Sequence, residues 1–96
     1  MTIHKTITGN KATFELSGWL DTQTSSVLGA ALDELDPAVT ELTIDMKELE
    51  YISSAGLRQI VAAHKKMDGK LTVKNVSPEI MDVFNMTGFR KRLNIV

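Results

Sequence analysis

Apolar and polar residues change rhythm along this chain, and the changes mark its elements. Ile3 and Ile7, then Phe14 and Leu16, flank Gly9-Asn10, and two short alternating runs about a Gly/Asn turn predict a β-hairpin. Gly18 is expected to end the second strand. From about Thr22 to Leu35 the spacing becomes helical, with Val27, Leu28, Ala31, Leu32 and Leu35 on one face. Asp21 or Thr22 is available as its cap, and Asp36-Pro37 stops it, because the residue before proline avoids the α region. Leu42, Ile44 and Met46 alternate in a strand over 41–46. Leu57, Ile60, Val61, His64 and Met67 then stripe a helix over 54–67, closed by Gly69. Leu71 and Val73 define a last strand at about 70–75. Ser77-Pro78-Glu79 supplies a cap, a first-turn proline and a first-turn acid for a final helix that carries Ile80, Val83 and Phe84 inward and ends near Gly88. The tail residues Phe89, Leu93, Ile95 and Val96 are apolar enough to pack back on the body.

The order ββαβαβα predicts an α/β fold in a single domain spanning 1–96. Its sheet is expected to be four-stranded and mixed, in the order 1-2-3-4, with the first strand antiparallel and the rest joined by right-handed parallel crossovers. Thr43, Asp45, Thr72 and Lys74 occupy alternate strand positions, so one sheet face is polar and the helices lie mainly on the other.

Composition narrows the function classes. A net charge of −1 offers no general attraction to nucleic acid or to an anionic membrane. The chain has no cysteine, which removes disulfides, thiolate nucleophiles and Cys-ligated metal sites together. The two histidines, His4 and His64, are far apart, and His64 is expected in the core. No metal site and no cofactor are expected. Neither a leader peptide nor a run of about 18 apolar residues is seen, so a soluble cytoplasmic domain is the expectation. There is no glycine-rich phosphate loop or nucleophile elbow, and a serine lacking a base is a poor nucleophile. The chain is therefore not expected to be an enzyme, and a monomer is expected when it is free.

In open α/β sheets, sites form at the C-terminal ends of parallel strands. Here those ends lead into Gly18-Trp19-Leu20-Asp21-Thr22 and Glu50-Tyr51-Ile52-Ser53-Ser54, which should be neighbours. Trp19, Asp21, Thr22, Thr24, Ser53 and Ser54 are expected on one rim, with Ala55, Gly56 and Arg58 following in the first turns of the helix. Ser53 suits the cap position. Ser54 lies where unpaired N–H groups and the helix dipole favour an anion. Trp19 is either a core plug or, if exposed, the best anchor for a partner.

Three segments make the chain resemble the STAS-domain anti-sigma factor antagonists: Leu16-Ser-Gly-Trp-Leu-Asp-Thr-Gln-Thr24, Ile52-Ser-Ser-Ala-Gly-Leu57 and Phe84-Asn-Met-Thr-Gly-Phe-Arg-Lys91. The resemblance implies a partner switch. An unphosphorylated domain binds an anti-sigma factor that is a serine kinase, and the sigma factor is freed. Phosphorylation of a serine at the head of the second helix breaks the complex, and a metal-dependent serine phosphatase restores it. By position that serine is Ser54, with Ser53 as the alternative. One family pattern reads Asp-Ser-Ser/Thr-Gly, and this chain has Ser53 and Ala55 in place of the acid and the second hydroxyl. The other reading is a STAS adaptor subunit, in ABC-type lipid transport or a stressosome-like scaffold, where the serine would be structural or regulatory.

Overall fold

The computed structural model describes residues 1–96, in which a five-stranded sheet carries three α-helices. The strands are β1 (Thr2–Thr8), β2 (Lys11–Leu20), β3 (Glu41–Ile52), β4 (Leu71–Lys74) and β5 (Asn94–Ile95), and they lie side by side in chain order. β1 is antiparallel to β2, and the other pairings are parallel. The helices are α1 (Ser25–Asp33), α2 (Ser54–Lys66) and α3 (Pro78–Thr87), followed by a 3₁₀ turn over Phe89–Arg92.

The expected architecture stands, with a fifth strand added to the four. Two residues are too few to show a period, so β5 left no pattern, although the tail packs back as far as Ile95 and leaves the Val96 side chain exposed. Leu93 is buried, and Ile95 pairs with Val73. β3 runs six residues beyond the predicted 46, and β2 passes through Gly18 to Leu20. Both extensions escaped the alternation test for one reason. Beyond Glu15 the β2–β3 register shifts twice, and the buried positions of β3 become Met46, Leu49 and Ile52, a spacing of three rather than two. Gly18 takes φ +86° at this irregularity and lets the strand continue.

One cluster of 22 buried residues fills the space between sheet and helices. Ala12, Phe14 and Leu16 of β2 and Leu42, Ile44 and Met46 of β3 meet Leu28 and Leu32 of α1, Leu57 and Ile60 of α2, and Ile80 and Phe84 of α3. No buried side chain is polar or charged. Two inward assignments fail. Val27 is 47% exposed, at the edge of a stripe whose buried members in α1 are Leu28, Ala31 and Leu32. His64 is only half-buried, and Ala63 takes the fully buried place on α2.

The opposite sheet face is polar from edge to edge. Thr6, Thr13, Thr43, Thr72 and Asn94 face one another in succession across all five strands. The adjoining row is His4, Glu15, Asp45 and Lys74. Asp45 is partly buried there, which raises its pKa. The Lys47 N–H, the Asn75 amide and the nearby Lys74 ammonium outweigh that and hold it below the ordinary value.

Candidate functional site

The pairing of β2 with β3 reaches Leu20 and Ile52 and continues one step further, where the Ser53 N–H donates to the Leu20 carbonyl at 2.9 Å. This brings the two predicted loops together. Gly56 explains how α2 starts so close. A Cβ built on it would lie 2.7 Å from the Leu20 oxygen, 2.8 Å from Leu20 Cγ and 3.0 Å from Ile52 Cγ1. Only a residue without a side chain lets the first turn of α2 rest on the end of β2. Gly56 is buried, so its contribution to a partner surface is to position that turn rather than to touch anything outside.

The serines divide their roles. Ser53 has the extended backbone of an N-cap, and its Oγ accepts from the Gly56 N–H at 3.2 Å. Ser54 is the first residue of α2 and is exposed. Its carbonyl accepts from Arg58 Nε at 3.5 Å, which folds that exposed guanidinium back along the first turn. Ala55 is half-buried between them. The first turn of α2 contains no acidic residue, while His64, Lys65 and Lys66 occupy its last turn. The positive pole at Ser54 therefore has no acid within its own first turn.

The other loop is held by Asp21 and Thr24. Asp21 Oδ1 accepts from the N–H groups of Gln23 at 3.0 Å and Thr24 at 2.9 Å, and it lies 3.0 Å from Thr24 Oγ1. Thr24 Oγ1 accepts from the Asp21 N–H at 2.9 Å, and its single proton is shared between the Trp19 carbonyl at 2.7 Å and Asp21 Oδ1. Residues 22–24 are thus spent on a turn before the helix. Neither Asp21 nor Thr22 caps α1: Thr24 occupies that position, without a side-chain cap bond. Thr22 is exposed, and its carbonyl accepts from Ser25 Oγ at 3.2 Å.

These bonds shift the Asp21 pKa downward. The Thr24 N–H is the largest cause, followed by the Thr24 hydroxyl and the Gln23 N–H. A lowered folded-state pKa gives stability that is present above the ordinary value of 3.8 and lost as pH falls through the folded one. We expect the melting-temperature gap between the native chain and Asp21→Ala to be constant near neutrality and to shrink below about pH 4. A gap that widens on acidification would show that the ionised carboxylate does not hold the loop.

Trp19 is 57% exposed, which excludes the core-plug role. It stacks on Tyr51, with ring centroids 5.2 Å apart and planes inclined by 43°. Each of these residues pairs across β2 and β3 just before a buried one, Leu20 and Ile52, so both rings point away from the helix layer. Trp19 therefore sits at the same end of the sheet as Ser54 but on its other side. Tyr51, 45% exposed, was not among the expected site residues. Its signal is present in the sequence: Trp19-Leu20 and Tyr51-Ile52 are aromatic–aliphatic pairs at the ends of adjacent strands.

Known proteins share this fold. The family model described as Mlab, STAS domain, matches residues 3–96. BtrV of Bordetella bronchiseptica, named as an anti-sigma factor antagonist, is 31% identical over 78 residues, covering 77% of this chain and 67% of BtrV. The anti-sigma-B factor antagonist of Bacillus subtilis is 28% identical over 89 residues, covering 90% of this chain and 82% of that protein. Among solved structures, the anti-sigma factor antagonist SpoIIAA in its unphosphorylated form aligns over 99% of this chain and 87% of its own, with a TM-score of 0.69 and 18% identity. The phosphorylated form of Bacillus SpoIIAA aligns over 99% and 91%, with a TM-score of 0.68 and 19% identity. A polar-faced mixed sheet, helices on one side and a match from Ile3 to Val96 lead to one assignment: this chain belongs to the STAS-domain family.

Proposed function

We propose that the chain is an anti-sigma factor antagonist acting in the cytoplasm as one component of a bacterial partner switch. Unphosphorylated, it binds an anti-sigma factor with serine kinase activity through Ser54, Arg58 and the Asp21 loop, and the sigma factor is released. The kinase transfers phosphate to Ser54, the complex separates, and a metal-dependent serine phosphatase returns the chain to its binding form. Ser54 is a substrate in this cycle and not a catalyst.

The observation that carries this reading is the division between the serines. Ser53 is consumed as the cap, while Ser54 is exposed at a positive helix pole that has no acid of its own. A phosphate there brings about −1.5 to −2 charges. Within the chain it is favoured by the dipole, but inside a contact built around a neutral hydroxyl it must lose water without a partner. The names of the two curated relatives support the assignment, and SpoIIAA is a structural neighbour known in both phosphorylation states.

The test is incubation with a cognate anti-sigma serine kinase and ATP, followed by intact mass. One added phosphate, absent in Ser54→Ala and retained in Ser53→Ala, is the expected result. No addition, or one that survives Ser54→Ala, overturns the role of Ser54. A second reading is favoured by the matching family model's own description, Mlab, which does not name an anti-sigma factor antagonist. In that reading the chain is a STAS adaptor subunit of another assembly. Stable co-purification with an ATPase subunit, with no phosphate exchange, would select it.

A further inference from the structure

β1 runs along one edge of the sheet and is paired on its inner side alone, with β2. The free N–H and C=O groups of an edge strand are a template for another strand. The sequence of β1, Thr2-Ile-His-Lys-Thr-Ile-Thr8, reads nearly the same from both ends about Lys5. Thr2 answers Thr8, Ile3 answers Ile7, and only His4 against Thr6 breaks the match.

Two antiparallel copies of a strand related by a two-fold axis must place one residue opposite itself. Residues directly opposite share a sheet face, while neighbours along a strand do not. A centre at His4 sets Ile3 against Lys5, and a centre at Thr6 sets Ile7 against Lys5. Only a centre at Lys5 places Ile3 against Ile7, and it does so twice.

Ile3, Lys5 and Ile7 lie on the helix-side face, opposite Leu16, Phe14 and Ala12. On that side Ile7 is 55% exposed. A groove of about 500 Å³ runs between β1 and α1, lined by Ile3, Val27, Ala30 and Ala31 with Lys5 and Glu34 beside them. We propose that this edge is a dimer interface: a second copy of the chain adds its β1 antiparallel to the first, with Lys5 on the axis. The two sheets become one continuous sheet. Ile7 of each copy closes over Ile3 and Val27 of the other.

Lys5 facing its own copy is the obstacle, since like charges directly opposite disfavour a strand pair. Glu34 removes it. Its Oε2 lies 3.5 Å from Lys5 Nζ, so the axis gathers two ammonium groups and two carboxylates with no net charge. An inward-pointing lysine on an edge strand is an ordinary guard against promiscuous pairing. Held by a carboxylate on the adjacent helix, it admits a strand that brings the same pair. The dimer departs from the free monomer expected from the sequence, and it uses the outer edge of β1 and the side of α1 rather than the exposed Ser54.

Sedimentation over a wide protein concentration range tests the proposal. A monomer–dimer equilibrium is expected, weakened at least tenfold by Ile7→Thr and by Lys5→Glu or Glu34→Lys alone. The exchanged pair Lys5→Glu/Glu34→Lys restores it, and circular dichroism confirms that each variant is folded. The register has its own readout in Ile3→Cys/Ile7→Cys, which gives a disulfide-linked dimer on oxidation. Within one strand these positions are about 13 Å apart, beyond disulfide reach. A chain that stays monomeric throughout overturns the proposal. So does a dimer indifferent to Ile7→Thr and to both charge reversals.

Discussion

Gly56→Ala should lower the melting temperature by roughly 8–16 °C, although it places a better helix former in a helix. Propensity alone favours alanine by about 1 kcal/mol. Against this, the added methyl would sit 2.7 Å from the Leu20 carbonyl oxygen and 2.8 Å from Leu20 Cγ. Overpacking of this kind costs about 1–3 kcal/mol, and the upper end applies because the obstructing atom is backbone, which cannot rotate away. The net loss is then about 2 kcal/mol, and a domain of this size shifts by about 4–8 °C for each kcal/mol. The displaced carbonyl is also the acceptor of the Ser53 N–H, so separation of the two loops should accompany the loss of stability. A thermal melt decides the matter: an unchanged or raised midpoint would mean that α2 does not rest on the end of β2.

Ser54→Asp should have the opposite profile, with a folded chain of unchanged or slightly raised melting temperature and binding to the anti-sigma kinase weakened about 100-fold, or ~2.7 kcal/mol. A carboxylate in the first turn interacts favourably with the dipole by about 0.3–1 kcal/mol, and α2 has no other acid there. The same charge has no compensation inside a contact shaped for a hydroxyl. Ser53→Ala supplies the contrast. Loss of its bond to the Gly56 N–H should cost about 1 kcal/mol of stability while binding largely persists. Calorimetric binding beside thermal melts of the two variants separates the roles. If Ser53→Ala abolished binding and Ser54→Asp left it intact, the assignment of the serines would be reversed.

Regular stretches of the chain were legible from the sequence, and irregular ones were not. β2 and the first half of β3 alternate cleanly, and α3 carries its cap, first-turn proline and acid in the expected places, with Gly88 left-handed at its end. The second half of β3 was hidden because a register shift replaces alternation with the spacing Met46, Leu49, Ile52. α1 was placed too early because Asp21 and Thr24 use their side chains on a turn, and propensity does not distinguish such a turn from a cap. At the site, Ser53 as cap was readable from its position. The burial of Gly56 was not, since a close approach depends on where a distant strand ends. The side on which Trp19 faces was equally hidden, because it depends on the irregularity at Gly18.

The hydrogen bond from Ser53 to Leu20 ties together segments that are far apart in the chain. It extends the β2–β3 pairing past Ile52, so the N-cap of α2 cannot shift without disturbing the end of β2. The placement of Ser54 thus depends on the end of a strand remote from it in sequence, and a change at Leu20 would be felt at the head of α2.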